Sequence, residues 1–122
     1  MVIRGIRGAI TVELDQLELV LGATRELLQG ILRENPGLST EDIASAFFTV
    51  TEDIVSVHPA LAARQIGWGL VPMLCSREIP VPGSLPLCIR VLIHWNTDRE
   101  QAAIHHVYLR DAVSLRPDLV KP

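Results

Sequence analysis

A single arginine interrupts the most regular apolar segment of the chain. Between residues 87 and 95, side chains alternate with the two-residue period of a β-strand. One face carries Leu87, Ile89, Val91, Ile93 and Trp95, and the other carries Cys88, Arg90, Leu92 and His94. A guanidinium in such surroundings is costly unless an anion or a carboxylate meets it. Arg90 is therefore a candidate contact for a bound anion.

A second interpretation of Arg90 needs only the protein itself. A structural arginine would pair with an acidic side chain, and Glu78, on the preceding predicted strand, is the nearest candidate by topology. Cys75 lies three residues before Glu78, so the two fall on opposite faces of an ideal strand unless the strand bends or ends between them. The residues alone leave Arg90 either as half of an ion pair or as a ligand contact.

The other polar residues on predicted strands are less distinctive singly. Arg4 and Arg7, near the N-terminus, are of a type that is mostly exposed at the surface, with ligand binding as the alternative. Tyr108 is typical of a packing residue whose hydroxyl lies at the rim of the core. The histidines do not favour a metal site, because strand neighbours such as His105 and His106 point to opposite faces.

Composition and missing motifs exclude several classes of protein. The formal net charge is -3, so nucleic acid is not an expected partner. GxSxG, P-loop and GxGxxG motifs are absent, which leaves nucleophilic and nucleotide chemistry without support. No run approaches the roughly 18 apolar residues of a membrane helix, and no signal-peptide core is present. A cytoplasmic address is the default, with Cys75 and Cys88 as reduced thiols.

Periodicity and turn residues predict the elements that must position these side chains. A long amphipathic helix is predicted over residues 17–32, with Asp15 and Glu18 as its cap and Asn35-Pro36-Gly37 as its end. Predicted strands span residues 2–10, 46–51, 71–78, 87–95 and 104–115, a short helix spans residues 60–66, and helical turns lie near residues 39–42 and 98–103.

These elements predict one α/β, α+β-like domain over residues 1–122, with a mixed sheet of about five strands, one long helix and an irregular tail near residues 115–122. The chain is 48% hydrophobic, with a mean hydropathy of +0.30, which is more apolar surface than one subunit is expected to cover. One long helix covers only one sheet face. We therefore expect the other face to be buried against identical subunits.

Six short segments spread over the chain form a recognisable pattern together. They are RGIRGA at residues 4–9, GW at 67–68, VP at 71–72, CIRV at 88–91, HVYL at 106–109 and LRPDL at 115–119. None is diagnostic alone, but in this order and at these separations the chain resembles the monofunctional trimeric (AroH-type) chorismate mutases. The resemblance implies a pseudo-α/β-barrel homotrimer with active sites between subunits. It also implies conversion of chorismate to prephenate, a step towards phenylalanine and tyrosine.

The resemblance implies roles for individual residues as well. Arg7 and Tyr108 would hold the carboxylate of the enolpyruvyl side chain of the substrate. Glu78 and the Cys75 region would bind the ring hydroxyl. Arg90 would reach the ether oxygen and a carboxylate, so the resemblance makes Arg90 and Glu78 the catalytic pair.

Other implied contacts come from more distant parts of the chain. Arg64, in the predicted short helix, would lie at the mouth of the neighbouring subunit's site. Leu115 and Arg116 would help to close the pocket. His58 departs from the pattern, because it stands where relatives carry a phenylalanine, and residues 52–67 align only with compensating one-residue shifts.

The implied reaction is an intramolecular [3,3] rearrangement, so no cofactor, metal or nucleophile is expected. The enzyme has to hold a flexible dianion in its reactive conformer and stabilise negative charge that grows on the ether oxygen. Two alternatives remain open at this point. One is a trimeric imine or enamine deaminase, which has a similar architecture and clamps carboxylates with arginine. The other is a non-catalytic regulatory trimer that binds an aromatic-pathway metabolite.

Overall fold

A five-stranded mixed sheet organises residues 1–115, the part of the chain that the computed structural model describes. The strands are β1 (Val2–Thr11), β2 (Ile43–Val50), β3 (Met73–Arg77), β4 (Cys88–Thr97) and β5 (Val107–Leu109). The helices are α1 (Leu17–Glu34) and α2 (Ala60–Gln65), and 3-10 turns span Thr40–Asp42, Gln101–Ala103 and Arg110–Leu115. The strand order is β3-β2-β4-β1-β5. The predicted fold class is confirmed.

Strand β4 is the centre of the sheet. It pairs antiparallel with β1 from Val2 opposite Thr97 to Thr11 opposite Cys88, and antiparallel with β2 on its other edge. Parallel pairing then adds β5 to β1 and β3 to β2. The alternation predicted for β4 is confirmed, because Ile89, Val91, Ile93 and Trp95 are buried under the helices and Leu92 is exposed on the other face.

The main core lies between one face of the sheet and the helices. Helix α1 buries Val20, Leu27, Leu28 and Ile31 completely, at the three- and four-residue spacing of one helical stripe. Gly8 of β1 allows this close approach, since a Cβ there would lie 2.8 Å from Cδ1 of Ile31. Gly8 therefore allows α1 to pack closely against the first strand.

The start of α1 differs from the prediction. Gln16 caps the helix, and its Oε1 accepts from the backbone N–H of Leu19 at 3.0 Å. The carboxylate of Asp15 accepts instead from the backbone N–H groups of Val55 and Ser56, at 3.0 and 3.1 Å. Asp15 thus anchors the segment after β2, and the predicted Asp15 cap is wrong.

The end of α1 agrees with the prediction. The backbone N–H of Asn35 donates to the carbonyl of Ile31 at 3.1 Å, and its buried side chain donates to the carbonyl of His105 at 2.9 Å. Its Oδ1 also accepts from the N–H of His105. The helix end is therefore tied to the segment that leads into β5.

The last predicted strand, over residues 104–115, is wrong for most of its length. Only Val107–Leu109 pairs with β1, because Arg110 adopts a left-handed backbone with φ of 55° that stops the ladder. The Arg110 guanidinium is held by the carbonyl of Thr11 at 3.0 Å and by Oε1 of Glu26 at 2.9 Å. A 3-10 turn follows.

Neither α-helix lies on the opposite face of the sheet, although Ala112 of the 3-10 turn packs at one end of it, against Ala9, Cys88 and Tyr108. Apolar side chains on this face stay exposed, with relative accessibilities of 57% for Ile3, 42% for Phe47, 64% for Leu74 and 38% for Leu92. The register places these residues on one face. The prediction of an uncovered apolar face is confirmed. No helix in this part of the chain is long and apolar enough to cross a bilayer.

Candidate active site

Five residues form one row across the helix-free face of the sheet. In strand order β3-β2-β4-β1-β5 they are Ser76, Thr49, Arg90, Ala9 and Tyr108, each the register partner of the next. Register partners on neighbouring strands project from the same face. The sheet therefore brings hydroxyl, guanidinium and phenol groups into line.

Arg90 occupies the middle of this row and is partly withdrawn from solvent. Its side chain is 26% exposed, and its Nε is buried with no hydrogen-bond partner among residues 1–115. Glu78, just after β3, places Oε2 3.8 Å from this Nε, which is an ion pair but too long for a hydrogen bond. The hydroxyl of Thr49 donates to that same oxygen. The Nε–H of Arg90 is thus available to donate a hydrogen bond to another group.

Tyr108 presents the second unused donor of the row. The residue is 4% exposed, and its hydroxyl is buried without a partner in the part of the chain that the structure describes. Its ring packs with Ala9, Cys88 and Ala112, and Leu115 lies against the same small cluster. Burying a hydroxyl without a hydrogen bond costs about 1–3 kcal/mol, so Tyr108 is a candidate contact for a bound polar group.

Arg7 lies on the same face, two residues before Ala9 on β1. Its register partner is Leu92, and its side chain is exposed. Its backbone N–H donates to Nδ1 of His106 at 2.9 Å, which makes Nδ1 an acceptor and places a proton of the neutral ring on Nε2. Arg7 is therefore an exposed residue on the same face as the row of five, one register pair away from it.

Cys75 takes the opposite side of the sheet. Its register partner is Phe48, which is fully buried, and its side chain packs against the main core. It also lines a cavity of about 300 Å³ together with His58 and Arg77. The Cys75 thiol is consequently not beside Glu78, and the side chain that β3 brings to the row is that of Ser76.

Arg64 is not part of the row. Arg64 lies on α2, exposed, and α2 packs with α1 and β3 on the helix side of the sheet. Arg116 lies outside the described residues. A second cavity of about 240 Å³ adjoins Glu78 and is lined by Thr51, Asp53 and the 79–86 loop.

Cys88 and Arg90 lie on the same face of β4 and interact electrostatically. Burial raises the pKa of the Cys88 thiol, while the Arg90 guanidinium beside it acts in the opposite direction. A guanidinium stays protonated at any working pH and offers several donors in a fixed fork. Within residues 1–115, no cluster of histidine, cysteine and acidic side chains is arranged to hold a metal ion.

Thr49 and Ser76 were not predicted as site residues. Both stand in segments of β composition, and nothing in the sequence indicates that these strands flank Arg90 through the order β3-β2-β4. Hydroxyl residues are also common on strands, so their type gives no signal. Only the register shows that they share a row.

Fold and site together are those of a small α/β protein with a row of polar side chains across one sheet face, an arrangement suited to an anionic small molecule. Comparison with known sequences is more specific. The model of the family described as chorismate mutase type I matches residues 3–119. The chain belongs to this family, and its activity is that of an isomerase.

Individual relatives cover nearly the whole chain. It is 61% identical over 117 residues to chorismate mutase AroH of Thermus thermophilus, which spans 96% of each sequence. It is 47% identical to chorismate mutase AroH of Bacillus subtilis (strain 168), over 98% of this chain and 94% of that protein. The solved chorismate mutase from Clostridium thermocellum (Cth-682) superimposes with a TM-score of 0.88 at 44% identity, over 90% and 97% of the two chains.

Proposed function

We propose that this chorismate mutase converts chorismate to prephenate in a pocket centred on Arg90. The observation that carries the proposal is the pair of buried donors, Arg90 Nε and Tyr108 Oη, that find no partner within residues 1–115 and share one row. The reaction is a [3,3] rearrangement within one molecule. It needs a rigid, donor-lined surface and no proton shuttle.

Arg90 stabilises the transition state in this proposal. As the C–O bond of the ether breaks, negative charge grows on its oxygen, and a fixed guanidinium aimed at that oxygen binds the transition state more tightly than the ground state. A lysine would bring one mobile point charge, so the planar fork of arginine suits the task better. The partial burial of Arg90 strengthens the interaction by limiting solvent screening.

The other residues hold the substrate in its compact conformer. Arg7 and Tyr108 bind the carboxylate of the enolpyruvyl side chain from the β1 and β5 side of the row. Glu78 accepts a hydrogen bond from the ring hydroxyl on the other side, with the backbone near Cys75 as a further contact. These contacts fix the flexible dianion in its reactive conformer before the reaction, which lowers the entropic part of the activation free energy.

We also propose that the enzyme is a homotrimer whose sites lie between subunits. The helix-free face with Ile3, Phe47, Leu74 and Leu92 is the surface that identical copies would cover, because an exposed apolar face of this extent favours association. Arg64 of α2 would then reach the site of a neighbouring subunit, and Leu115 and Arg116 would close it. Two free thiols agree with a cytoplasmic address.

The trimer is tested by the substitution Leu92→Asp, which places a charge on the uncovered face. Light scattering of the wild type should give three times the mass of the chain, and the variant should dissociate and lose activity. A wild-type protein that stays monomeric at micromolar concentration would exclude sites between subunits.

The activity is tested with purified protein and chorismate alone. Loss of the ultraviolet absorbance of chorismate, with prephenate as the product and no added component, is the expected result. Consumption of an imine or enamine with release of ammonia would indicate a deaminase. Saturable chorismate binding without turnover would indicate a regulatory protein.

A further inference from the structure

Thr49 and Arg90 compete for one oxygen of Glu78. Thr49 Oγ1 donates to Oε2 of Glu78, and the same Oε2 faces Nε of Arg90 across 3.8 Å. Thr49 is the direct register partner of Arg90 in the β2–β4 pairing. The three side chains therefore form a triangle in which Thr49 holds the hydrogen bond and Arg90 does not.

The 3.8 Å gap between Arg90 Nε and Glu78 Oε2 is longer than expected for these two groups. The side chains of Arg90 and Glu78 are only 26% and 28% exposed, and a guanidinium and a carboxylate in such surroundings normally close to about 2.7–2.9 Å in a charge-assisted hydrogen bond. A shift of about 1 Å would bring the two groups to hydrogen-bond distance, so the separation of their backbones alone does not explain the gap. The group that engages the carboxylate from another side is the hydroxyl of Thr49.

The backbone places Glu78 within reach of the Thr49 hydroxyl. The N–H of Glu78 donates to the carbonyl of Val50 at 2.9 Å, which continues the β3–β2 pairing beyond the end of β3 and fixes Glu78 beside β2. The carboxylate of Glu78 thus emerges next to Thr49 and can bind its hydroxyl. A threonine hydroxyl can donate one hydrogen bond, and here Glu78 accepts it.

We infer that Thr49 is a positioning residue that holds the Glu78 carboxylate away from Arg90, so that the Nε donor of Arg90 stays available to the substrate. The inference rests on the proposed function, since it assumes that Arg90 serves the reacting ether. Without the hydroxyl, Glu78 closes onto Arg90 and the guanidinium is neutralised by the protein itself. Thr49 acts through these two residues and does not touch the reacting atoms.

The test removes only the hydroxyl, through Thr49→Val. We expect kcat/KM to fall about 10- to 100-fold, the effect of a hydrogen bond to a charged group, mainly in kcat because charge on the ether oxygen grows in the transition state. The unfolding temperature should stay the same or rise, because a closed ion pair replaces the lost bond. Thr49→Ser keeps the hydroxyl and should keep most of the activity. A merely structural threonine would instead lose stability together with activity.

A double-mutant cycle with Glu78→Gln isolates the mechanism. A neutral amide cannot neutralise Arg90, so Thr49→Val should have little further effect in that background. Equal fold-losses in both backgrounds would overturn the inference. Thr24→Val is the matched control, because Thr24 is also buried and donates to a carbonyl, that of Val20 at 2.8 Å, on α1 away from the row. It should leave kcat unchanged.

The crystal structure of the Thr49→Val protein gives a readout that does not depend on activity. A carboxylate oxygen of Glu78 should lie within hydrogen-bond distance of an Arg90 nitrogen. If Glu78 stays where it is and the variant turns over like the wild type, Thr49 does not position Glu78. Wild-type protein without any mutase activity would contradict the proposed function itself, which is a separate outcome.

Discussion

Arg90 on β4 and Tyr108 on β5 lie in one register row, with only Ala9 of β1 between them. Because neighbouring strands are about 4.8 Å apart, their Cα atoms are roughly 10 Å apart. Each offers a buried donor that has no partner in the described part of the chain. A ligand that accepts from both donors would bridge the two residues, so the register makes Arg90 and Tyr108 candidates for one site.

Tyr108→Phe tests whether the buried hydroxyl serves a ligand. Since this hydroxyl has no partner within residues 1–115, its removal should leave the unfolding temperature unchanged or slightly higher. The KM for chorismate should rise about tenfold or more, because a carboxylate contact is lost. Thermal unfolding and steady-state kinetics measure the two effects. A clear drop in unfolding temperature with an unchanged KM would make Tyr108 a structural residue.

The pH dependence of the rate distinguishes this mechanism from proton transfer. A rearrangement held by fixed charges has no general acid or base, so kcat should be nearly flat between about pH 6 and pH 8. Initial rates in buffers of constant ionic strength give the profile. A bell with its maximum near pH 7 would indicate a proton-transfer enzyme and contradict the assigned chemistry.

Asp15 should make stability sensitive to acid. Hydrogen bonds from Ser56 and from the backbone N–H of Val55 hold the pKa of Asp15 below its usual value of 3.8. A folded-state pKa below that of the unfolded chain means that the contribution is complete above about pH 3.8 and is lost as pH falls through the lower, folded value. As the pH is lowered below 4, the unfolding temperature of Asp15→Asn should therefore fall less than that of the wild type. An identical fall in both proteins would show that Asp15 does not contribute.

Local periodicity predicted the elements that have a strong period of their own. The stripe of α1 and the alternation of β4 were both confirmed, since each follows from side chains within one segment. The end of β5 was predicted wrongly because composition carries no mark of the left-handed backbone at Arg110. Gln16 and not Asp15 caps α1, because the Asp15 carboxylate accepts from the backbone N–H of Val55, a residue 40 positions further along the chain.

The site was predictable by residue type and not by arrangement. Arg90 stood out because a charge on an apolar strand needs a partner, and Tyr108 joined it only through resemblance to a family. The distance between Glu78 and Arg90 and the role of Thr49 depend on strand order and register, which no short segment encodes. The position of Cys75 on the core side follows from the same register.

Turnover of chorismate by the Arg90→Ala variant is the most direct measurement of the central claim. We expect kcat to fall at least 10²- to 10³-fold, the usual loss for a donor aimed at developing charge, while the unfolding temperature stays close to that of the wild type. Arg33→Ala, the same change on the exposed surface of α1, should turn over chorismate normally. A folded Arg90→Ala protein with near-normal kcat would contradict the account.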